Sequence, residues 1–490
     1  MFYTSSNFGF NPINVNIEID IKNGLPSIDV VGVADSIVVG LREKIKVAIS
    51  NSNFELSNER ILICASPCDL KKDSDSIELA IAMAILKPTF AENIGCLGSL
   101  DLNGNIILSI NGLIDFVTKE ENKKFILPKK AKDILLENCT NLDGKEFIFA
   151  DSLQESVQKL ETNDFEKLTI PNDEDFEEIE NIKFPKVSDE VKKSFENLKN
   201  GDFMRALSIA IGGKFNVLSV GAPGCGKTMA MQISSCLFPL LENDDFQTVS
   251  RLYNLSGLTK ENKRIPFRMP HQTASIEGMC GGGVNCHCGE VSLAHKGVLF
   301  LDESAEFRTS VIQMLRVPIE SKSITLSRAG RTTVYPADFQ LFMATSPCPC
   351  GNFGSSERIC LCSAKSVEAY WNKFSVPLLD RMQLKFLFTN NESQLQVKTI
   401  DEYRKDIAKA RIGLKKRESL SNEEKFKMDE QTEVIFATYT LTHNSSQREM
   451  MNIKSVARVI ADMNENELIT KADIDEAIKL VCPKGSIFNY

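Results

Sequence analysis

Residues 14–21, NVNIEIDI, alternate polar and apolar side chains with period two, the pattern of a strand with one buried face. A turn follows at NGLP (23–26), and SIVVGLREKIKVAISNS (36–52) then repeats its apolar residues at helical spacing. The apolar run ERILICASP (59–67) predicts another strand, and SIELAIAMAIL (76–86) a buried helix. Strand and helix therefore alternate through the first part of the chain. Between 161 and 190 the pattern gives way to ETNDFEKLTIPNDEDFEEIENIKFPK, an acidic stretch punctuated by Pro that predicts a solvated connector. Order returns with KNGDFMRALSIAIGGKFNVLSVGAPGCGKTMAMQISSCL (199–237), read as helix, turn, strand, Gly-rich loop and helix. GVLFLDESAEF (297–307) is a further apolar strand running into two acids. From Asn391 the chain is charged and helical, and VARVIADMNENELITKADIDEAIKLVC (456–482) reads as two amphipathic helices with Thr470 as N-cap of the second.

Composition narrows the class. The length, 490 residues, suggests about three domains. Hydrophobic content of 42% and charged content of 25% are those of an ordinary soluble globular protein. A net charge of −9 excludes a broadly basic nucleic-acid coat but leaves room for a local basic channel. No apolar run approaches the roughly 18–20 residues needed to span a bilayer. The start, MFYTSSNFGFNPINV, lacks the basic-then-apolar pattern of a secretory signal. These features point to the cytoplasm, with no membrane partner. Thiols stay reduced there, so disulfides are the weaker reading of the 14 cysteines.

The first chemical motif is Gly221-Ala222-Pro223-Gly224-Cys225-Gly226-Lys227-Thr228, which fits G-x-x-x-x-G-K-[ST] between a strand and a helix. Its glycines let backbone N–H groups curl around phosphate oxygens, while Lys227 reaches the β/γ-phosphates and the Thr228 hydroxyl ligates Mg²⁺. The second is Leu299-Phe-Leu-Asp302-Glu303. An apolar strand ending in two acids places Asp302 near the Mg²⁺ shell and Glu303 as general base for a water. Paired with the loop, it predicts ATP hydrolysis. In PLLDR, Arg381 is either a surface arginine pairing with Asp380 or a finger reaching a neighbouring subunit's γ-phosphate. Spacing alone favours the surface role.

Six stretches together carry a family resemblance: GAPGCGKTM, PFRMPHQTASIEG, GEVSLAHKGVLFLDESAEF, SPCPCG, PLLDR and VARVIADM. The chain resembles the ComM/YifB family of magnesium-chelatase-like AAA+ ATPases, and NGLPSIDVVGVADSIVVGLREKIKVAI is similar to that family's Lon-protease-like domain. The resemblance implies an α/β fold: a Lon-like α+β domain (1–160), an acidic linker (161–190), a P-loop AAA+ core with a cysteine-rich loop (191–390) and a C-terminal helical lid (391–490). It also implies ATP and Mg²⁺ as cofactors and a homo-oligomeric, hexameric ring. Such a ring drives DNA translocation and branch migration on single-stranded or branched DNA as incoming strands recombine. Arg381 then becomes the arginine finger acting in trans. Arg448 (SSQREMM) resembles the sensor-2 arginine, with Arg458 as the alternative.

Departures from the family matter too. Ser346 stands where the family carries the sensor-1 Asn that orients the lytic water, Asn452 aligns with a second sensor-2 arginine, and LKNGDF is a degenerate upstream box. In the Lon-like domain Ser76 takes the nucleophile's place, but Ile114 takes the lysine's, so the serine lacks a base and peptidase activity is not expected.

Cys348, Cys350, Cys360 and Cys362 match the family's CPCG…C-x-C segment. Four thiolates in close pairs suit tetrahedral Zn²⁺, and reduced thiols or a redox switch are the alternatives. A second group, Cys280, Cys286, His287 and Cys288, departs from the family and reads as a variable loop, with a second metal site as the alternative. For DNA the basic helix 404–417 is a candidate phosphate-facing surface, with a solvated face as the rival reading. The resemblance adds Arg268 and His271 as pore-loop contacts. Competing functions are a protein-remodelling or scaffold ATPase and a magnesium-chelatase subunit.

Overall fold

The computed structural model describes residues 1–483 apart from 6–8, 12, 34, 57–58, 68–73, 172–175, 261, 284–285, 329–330, 354–357 and 389–394. Its N-terminal unit is built on a seven-stranded mixed sheet in the order Ser27–Val31, Arg60–Ser66, Asn14–Lys22, Phe2–Ser5, Ile94–Cys96, Lys124–Leu127, Glu146–Phe149. The alternation in NVNIEIDI is realised as the strand Asn14–Lys22, paired antiparallel with Arg60–Ser66. Helix Ser74–Leu86 carries apolar residues all round and is buried on all sides from Ile77 to Ile85, as expected of a helix inside a core.

The second sheet has five strands, all parallel, in the order Phe267–Arg268, Val298–Leu301, Gln340–Thr345, Val217–Val220, Leu384–Leu387. Both faces are covered, which is why these strands read as continuous apolar runs. Val217, Phe300 and Phe342 point into one core, while Leu218, Leu299 and Met343 point into the other. The first of these cores also takes Tyr403, Ile407, Val456 and Ile474 from the C-terminal helices Ile400–Lys416, Gln447–Met463 and Lys471–Val481. The two helices expected at the C-terminus form, and Thr470 caps the second through a capping box with Asp473.

Two expectations are corrected. The acidic stretch is not merely solvated: Phe176–Ile179 and Ile182–Pro185 form a hairpin, and Phe184 is fully buried in the core that holds Val217, Phe300 and Phe342. Nor is the basic helix a phosphate-facing surface at its start. Arg404 has no exposed surface and donates to the carbonyls of Pro185 (2.6 Å) and Cys236 (2.8 Å) while pairing with Glu177 at 2.9 Å. Arg411 is half-buried, and loss of water around it pushes its guanidinium down to about 10. The expected boundary between 390 and 391 lies outside the described residues.

The N-terminal unit docks on the unit built around the five-stranded sheet. Arg251, on helix Asn243–Leu255, pairs with the buried Asp115, donates to the Phe10 carbonyl (3.2 Å) and covers the Phe10 ring at 4.4 Å. Phe10 in turn gives its own N–H to Thr333 Oγ1 (3.1 Å), and its ring lies 6.0 Å from that of Tyr335. Both partners stand on the antiparallel hairpin Ser323–Arg328/Arg331–Pro336. Among the described residues no helix is long and apolar enough to cross a membrane.

Candidate active site

The sheet order brings the site together. Strand Gln340–Thr345 lies between the strand feeding the glycine-rich loop and the strand ending at Leu301, so three loop ends meet at one edge: 221–228, 302–303 and 346. Gly224 and Gly226 adopt φ of 82° and 90°, values that only glycine takes without strain, and the loop turns there into helix Lys227–Ile233. Lys227 is buried, its Nζ donating to the carbonyls of Gly221 (2.7 Å) and Ala222 (2.9 Å), with Cys225 Sγ 3.6 Å away.

Thr228 Oγ1 donates to Asp302 Oδ1 at 3.0 Å, and the Glu303 backbone N–H donates to the same oxygen at 3.0 Å. A hydroxyl and a carboxylate this close are a fitting pair of hard oxygen ligands for Mg²⁺. Glu303 has a left-handed backbone, φ 45°, and an exposed side chain whose Oε2 accepts from Gln272 Nε2 at 3.0 Å. Backbone strain of this kind concentrates at functional sites. Ser346 is half-buried, following Thr345, whose hydroxyl meets that of Tyr370 at 2.8 Å.

The two arginines meet away from the loop, on a residue that the sequence did not single out. Arg381 Nη2 pairs with Glu320 at 2.8 Å, and Arg448 pairs with the same carboxylate oxygen. Arg381 also donates to the Pro377 carbonyl. The two guanidiniums, Arg381 foremost, hold the Glu320 carboxyl below the usual carboxylate range. Arg458, the alternative sensor, is buried and occupied: it pairs with Asp462 at 2.9 Å and donates to the carbonyls of Asn466 and Glu467. Arg268 is likewise engaged, held bidentately by Glu290 at 2.7 Å, which leaves His271 as the exposed member of the expected pore-loop pair.

Three segments match family descriptions: "Subunit ChlI of Mg-chelatase" over residues 17–131, "Magnesium chelatase, subunit ChlI" over 198–396 and its C-terminal part over 397–480. Among similar proteins, YifB of Escherichia coli is 30% identical, the match spanning 97% of this chain and 96% of that one. The competence protein ComM of Haemophilus influenzae is 31% identical over 78% of this chain and 75% of its own. The chain belongs to the magnesium-chelatase-like ComM/YifB family. Its parallel sheet and helical C-terminal region are those of a family of AAA+ ATPases, for which ATP and Mg²⁺ are the implied cofactors.

In this ComM/YifB chain the four cysteines of the 348–362 segment converge. Their ligand atoms all lie within 4.8 Å of one another, and Cys348 Sγ stands 3.4 Å from Cys350 and 3.7 Å from Cys360. A tetrahedral Zn²⁺ with Zn–S near 2.3 Å needs sulfurs about 3.8 Å apart, so the thiol set fits the ion. The Asn352 backbone N–H, and after it Cys348, holds the Cys350 thiol down at about 6, whereas the neighbouring thiols push Cys360 and Cys362 up, so a bound metal would displace the protons those two keep. The loop bears directly on the phosphate site: at Gly351, φ 78°, an added Cβ would stand 2.7 Å from Pro223 Cδ. Among the described residues the second cysteine group makes no such cluster. Cys280 meets the Met314 sulfur at 3.6 Å and Cys288 the Ser256 hydroxyl at 3.0 Å.

At the N-terminal unit Ser76 and Ile114 are both fully buried. The Ser76 carbonyl accepts from Thr4 (2.6 Å), and the Ile114 N–H donates to Asn254 (3.2 Å). Sequence reasoning missed Gln272 and Glu320. Gln272 lay inside PFRMPHQ, a stretch already singled out, but nothing in its spacing announced the Glu303 contact.

Proposed function

We propose that the chain is an ATP-hydrolysing motor that assembles as a hexameric ring in the cytoplasm. It moves single-stranded or branched DNA in branch migration during recombination of incoming DNA. The observation that carries the ATPase reading is the Thr228–Asp302–Glu303 constellation beside Lys227. Thr228 and Asp302 are the residues to hold Mg²⁺, which when bound draws charge from the β- and γ-phosphate oxygens. Lys227 swings from its loop carbonyls to those phosphates. Glu303 takes a proton from the attacking water, which the Ser346 hydroxyl orients. Arg381 of one subunit neutralises charge at the γ-phosphate of its neighbour, and Arg448 senses the nucleotide from the helical region.

Support for DNA as the partner is of two kinds. One relative carries the name competence protein. The hairpin Ser323–Arg328/Arg331–Pro336 also sets Arg328, which is exposed, opposite Arg331 in register. An exposed arginine such as Arg328 suits phosphate contacts that are independent of sequence and sensitive to salt. Cys348, Cys350, Cys360 and Cys362 are assigned a structural Zn²⁺ that pins the loop between Ser346 and Arg381. The N-terminal unit is assigned a Lon-like fold that serves assembly and partner contact.

The test is ATP hydrolysis by the purified protein with and without single-stranded and forked DNA, beside Lys227→Ala and Glu303→Gln. DNA-stimulated hydrolysis that both substitutions abolish is the expected result. Hydrolysis indifferent to DNA but stimulated by unfolded polypeptide would instead make the chain a protein remodeller.

A further inference from the structure

We infer that Glu320 is a positioning residue, the carboxylate that fixes the Arg381 guanidinium for the reaction and ties Arg448 to the same point. In taking Arg381 as the finger, the inference rests on the reading above; the grip of Glu320 on both arginines does not.

Three observations carry it. First, one oxygen gathers two cations from distant parts of the chain. Glu320 Oε1 accepts from Arg381 Nη2 at 2.8 Å and from Arg448 Nη2, the latter across 128 residues of sequence. Without the carboxylate, the two guanidiniums would face each other as like charges. An amide in its place would keep an acceptor but supply no counter-charge.

Second, the backbone around Arg381 is already fixed, and its side chain is what needs orienting. Leu378 and Met382 are fully buried on either side of it, and its backbone N–H donates to the Leu378 carbonyl at 2.9 Å. The side chain is long and flexible, and two contacts orient its head: Nη1 on the Pro377 carbonyl and Nη2 on Glu320. Each of these nitrogens carries two N–H and spends one, so each keeps one for a phosphate oxygen. The grip therefore aims the cation without consuming it.

Third, Glu320 stands on a braced support. It lies in helix Arg316–Ser321, whose end is closed by the Lys322 N–H on the Pro318 carbonyl at 2.9 Å. The Ala337 N–H donates to the Lys322 carbonyl at 2.8 Å, which stitches that helix end to the far end of the hairpin Ser323–Arg328/Arg331–Pro336. On the other side Asn452, from the helix Gln447–Met463 that carries Arg448, donates to the Asp380 carbonyl at 3.3 Å. Finger, helical region and hairpin thus meet at one carboxylate. A group set there decides geometry, and a shift of about 1 Å in a reacting constellation costs about 10²-fold in rate.

The experiment is steady-state ATPase of wild type, Glu320→Gln, Glu320→Ala, Arg381→Ala and Glu320→Ala/Arg381→Ala, with a thermal melt of each protein. Glu320→Ala should lose about 10²-fold in kcat, while KM for ATP stays within about threefold. The Glu320 side chain is 48% exposed, and exposed ion pairs add little to stability, so the melt should move by no more than about 3 °C. Glu320→Gln should lose nearly as much rate, because it keeps the shape and drops the charge. The double variant should be no slower than Arg381→Ala, since nothing is left to position. Full kcat in both Glu320 variants, with Arg381→Ala inactive, would overturn the positioning role and leave the finger standing. A double variant slower than Arg381→Ala would also overturn it, because Glu320 would then act by another route. Arg381→Ala at full rate would remove the finger from the reading above and this role of Glu320 with it. Should Glu320→Ala melt early, Glu320→Gln decides, because it fills the same space.

Discussion

Arg404 offers the sharpest check on the architecture, because two readings of it predict opposite outcomes. Arg404→Ala removes donors from two buried carbonyls, Pro185 and Cys236, and the cation stacked 5.2 Å from the Phe184 ring. Each stranded buried acceptor costs about 1–3 kcal/mol. The space left by a large side chain adds about 2–5 kcal/mol. Relief from burying a charge offsets part of this, leaving a net loss of about 3–5 kcal/mol. Glu177 is 40% exposed, so Glu177→Gln should cost under about 1 kcal/mol.

The chain's single tryptophan, Trp371, is 6% exposed in the core on the other face of the same sheet, so its fluorescence follows unfolding of the ATPase unit. At about 2–4 °C per kcal/mol for a unit of this size, Arg404→Ala should melt roughly 10 °C below wild type, and Glu177→Gln within about 3 °C of it. An Arg404→Ala protein that melts like wild type but binds forked DNA weakly would refute the reasoning and restore the phosphate-facing helix.

Three further outcomes are expected. Arg381→Ala should retain ATP binding but lose about 10³-fold or more in kcat. Mixing it with Glu303→Gln subunits should restore part of the rate, since mixed rings contain intact interfaces; no recovery would place the finger in cis. Metal analysis should find one zinc per chain, released when the thiols are titrated, and Cys348→Ser should abolish it together with several degrees of thermal stability; a metal-free protein of full stability would leave the cluster as reduced thiols. Burial, opposed by Arg251, pushes the Asp115 carboxyl up to about 6 from its ordinary 3.8. The folded protein then binds the proton more tightly than the unfolded one, so this contribution to stability is complete below about pH 4 and lost as pH rises through about 6. Melting curves across that window should flatten in Asp115→Asn, and unchanged curves would remove Asp115 from the account.

What was legible in the chain followed from local pattern. The phosphate loop, the Asp302 strand and the Thr470 cap each sit within a few residues whose spacing dictates their geometry. The hairpin inside the acidic stretch was hidden by composition, though its period-two pattern was there to read. FEEI and IKFP flank Glu180 and Asn181, whose φ values of 51° and 60° make a two-residue turn matched to strand twist. The basic helix misled for a related reason. Counting charge ignores phase, and Arg404 shares the i, i+3, i+4 stripe with Ile407 and Ala408, which marks the face turned to the core. Contacts such as Gln272–Glu303 and Arg381–Glu320 join loops that only the sheet order brings together, so no local spacing could foretell them.

The seat of Phe10 on Thr333 and Tyr335 changes what a domain boundary means here. Gly9 lies so close that a Cβ would fall 2.3 Å from the Thr333 hydroxyl, at a φ of +74° that disfavours any side chain. A cut placed in the acidic stretch would sever the chain where few covalent reasons hold it, yet would strip one flank from a hairpin that belongs by sequence to the other half. The mechanical unit is therefore larger than the sequence unit. An isolated ATPase fragment would be a different machine, with its hairpin bare, and rates measured on it would not transfer to the whole.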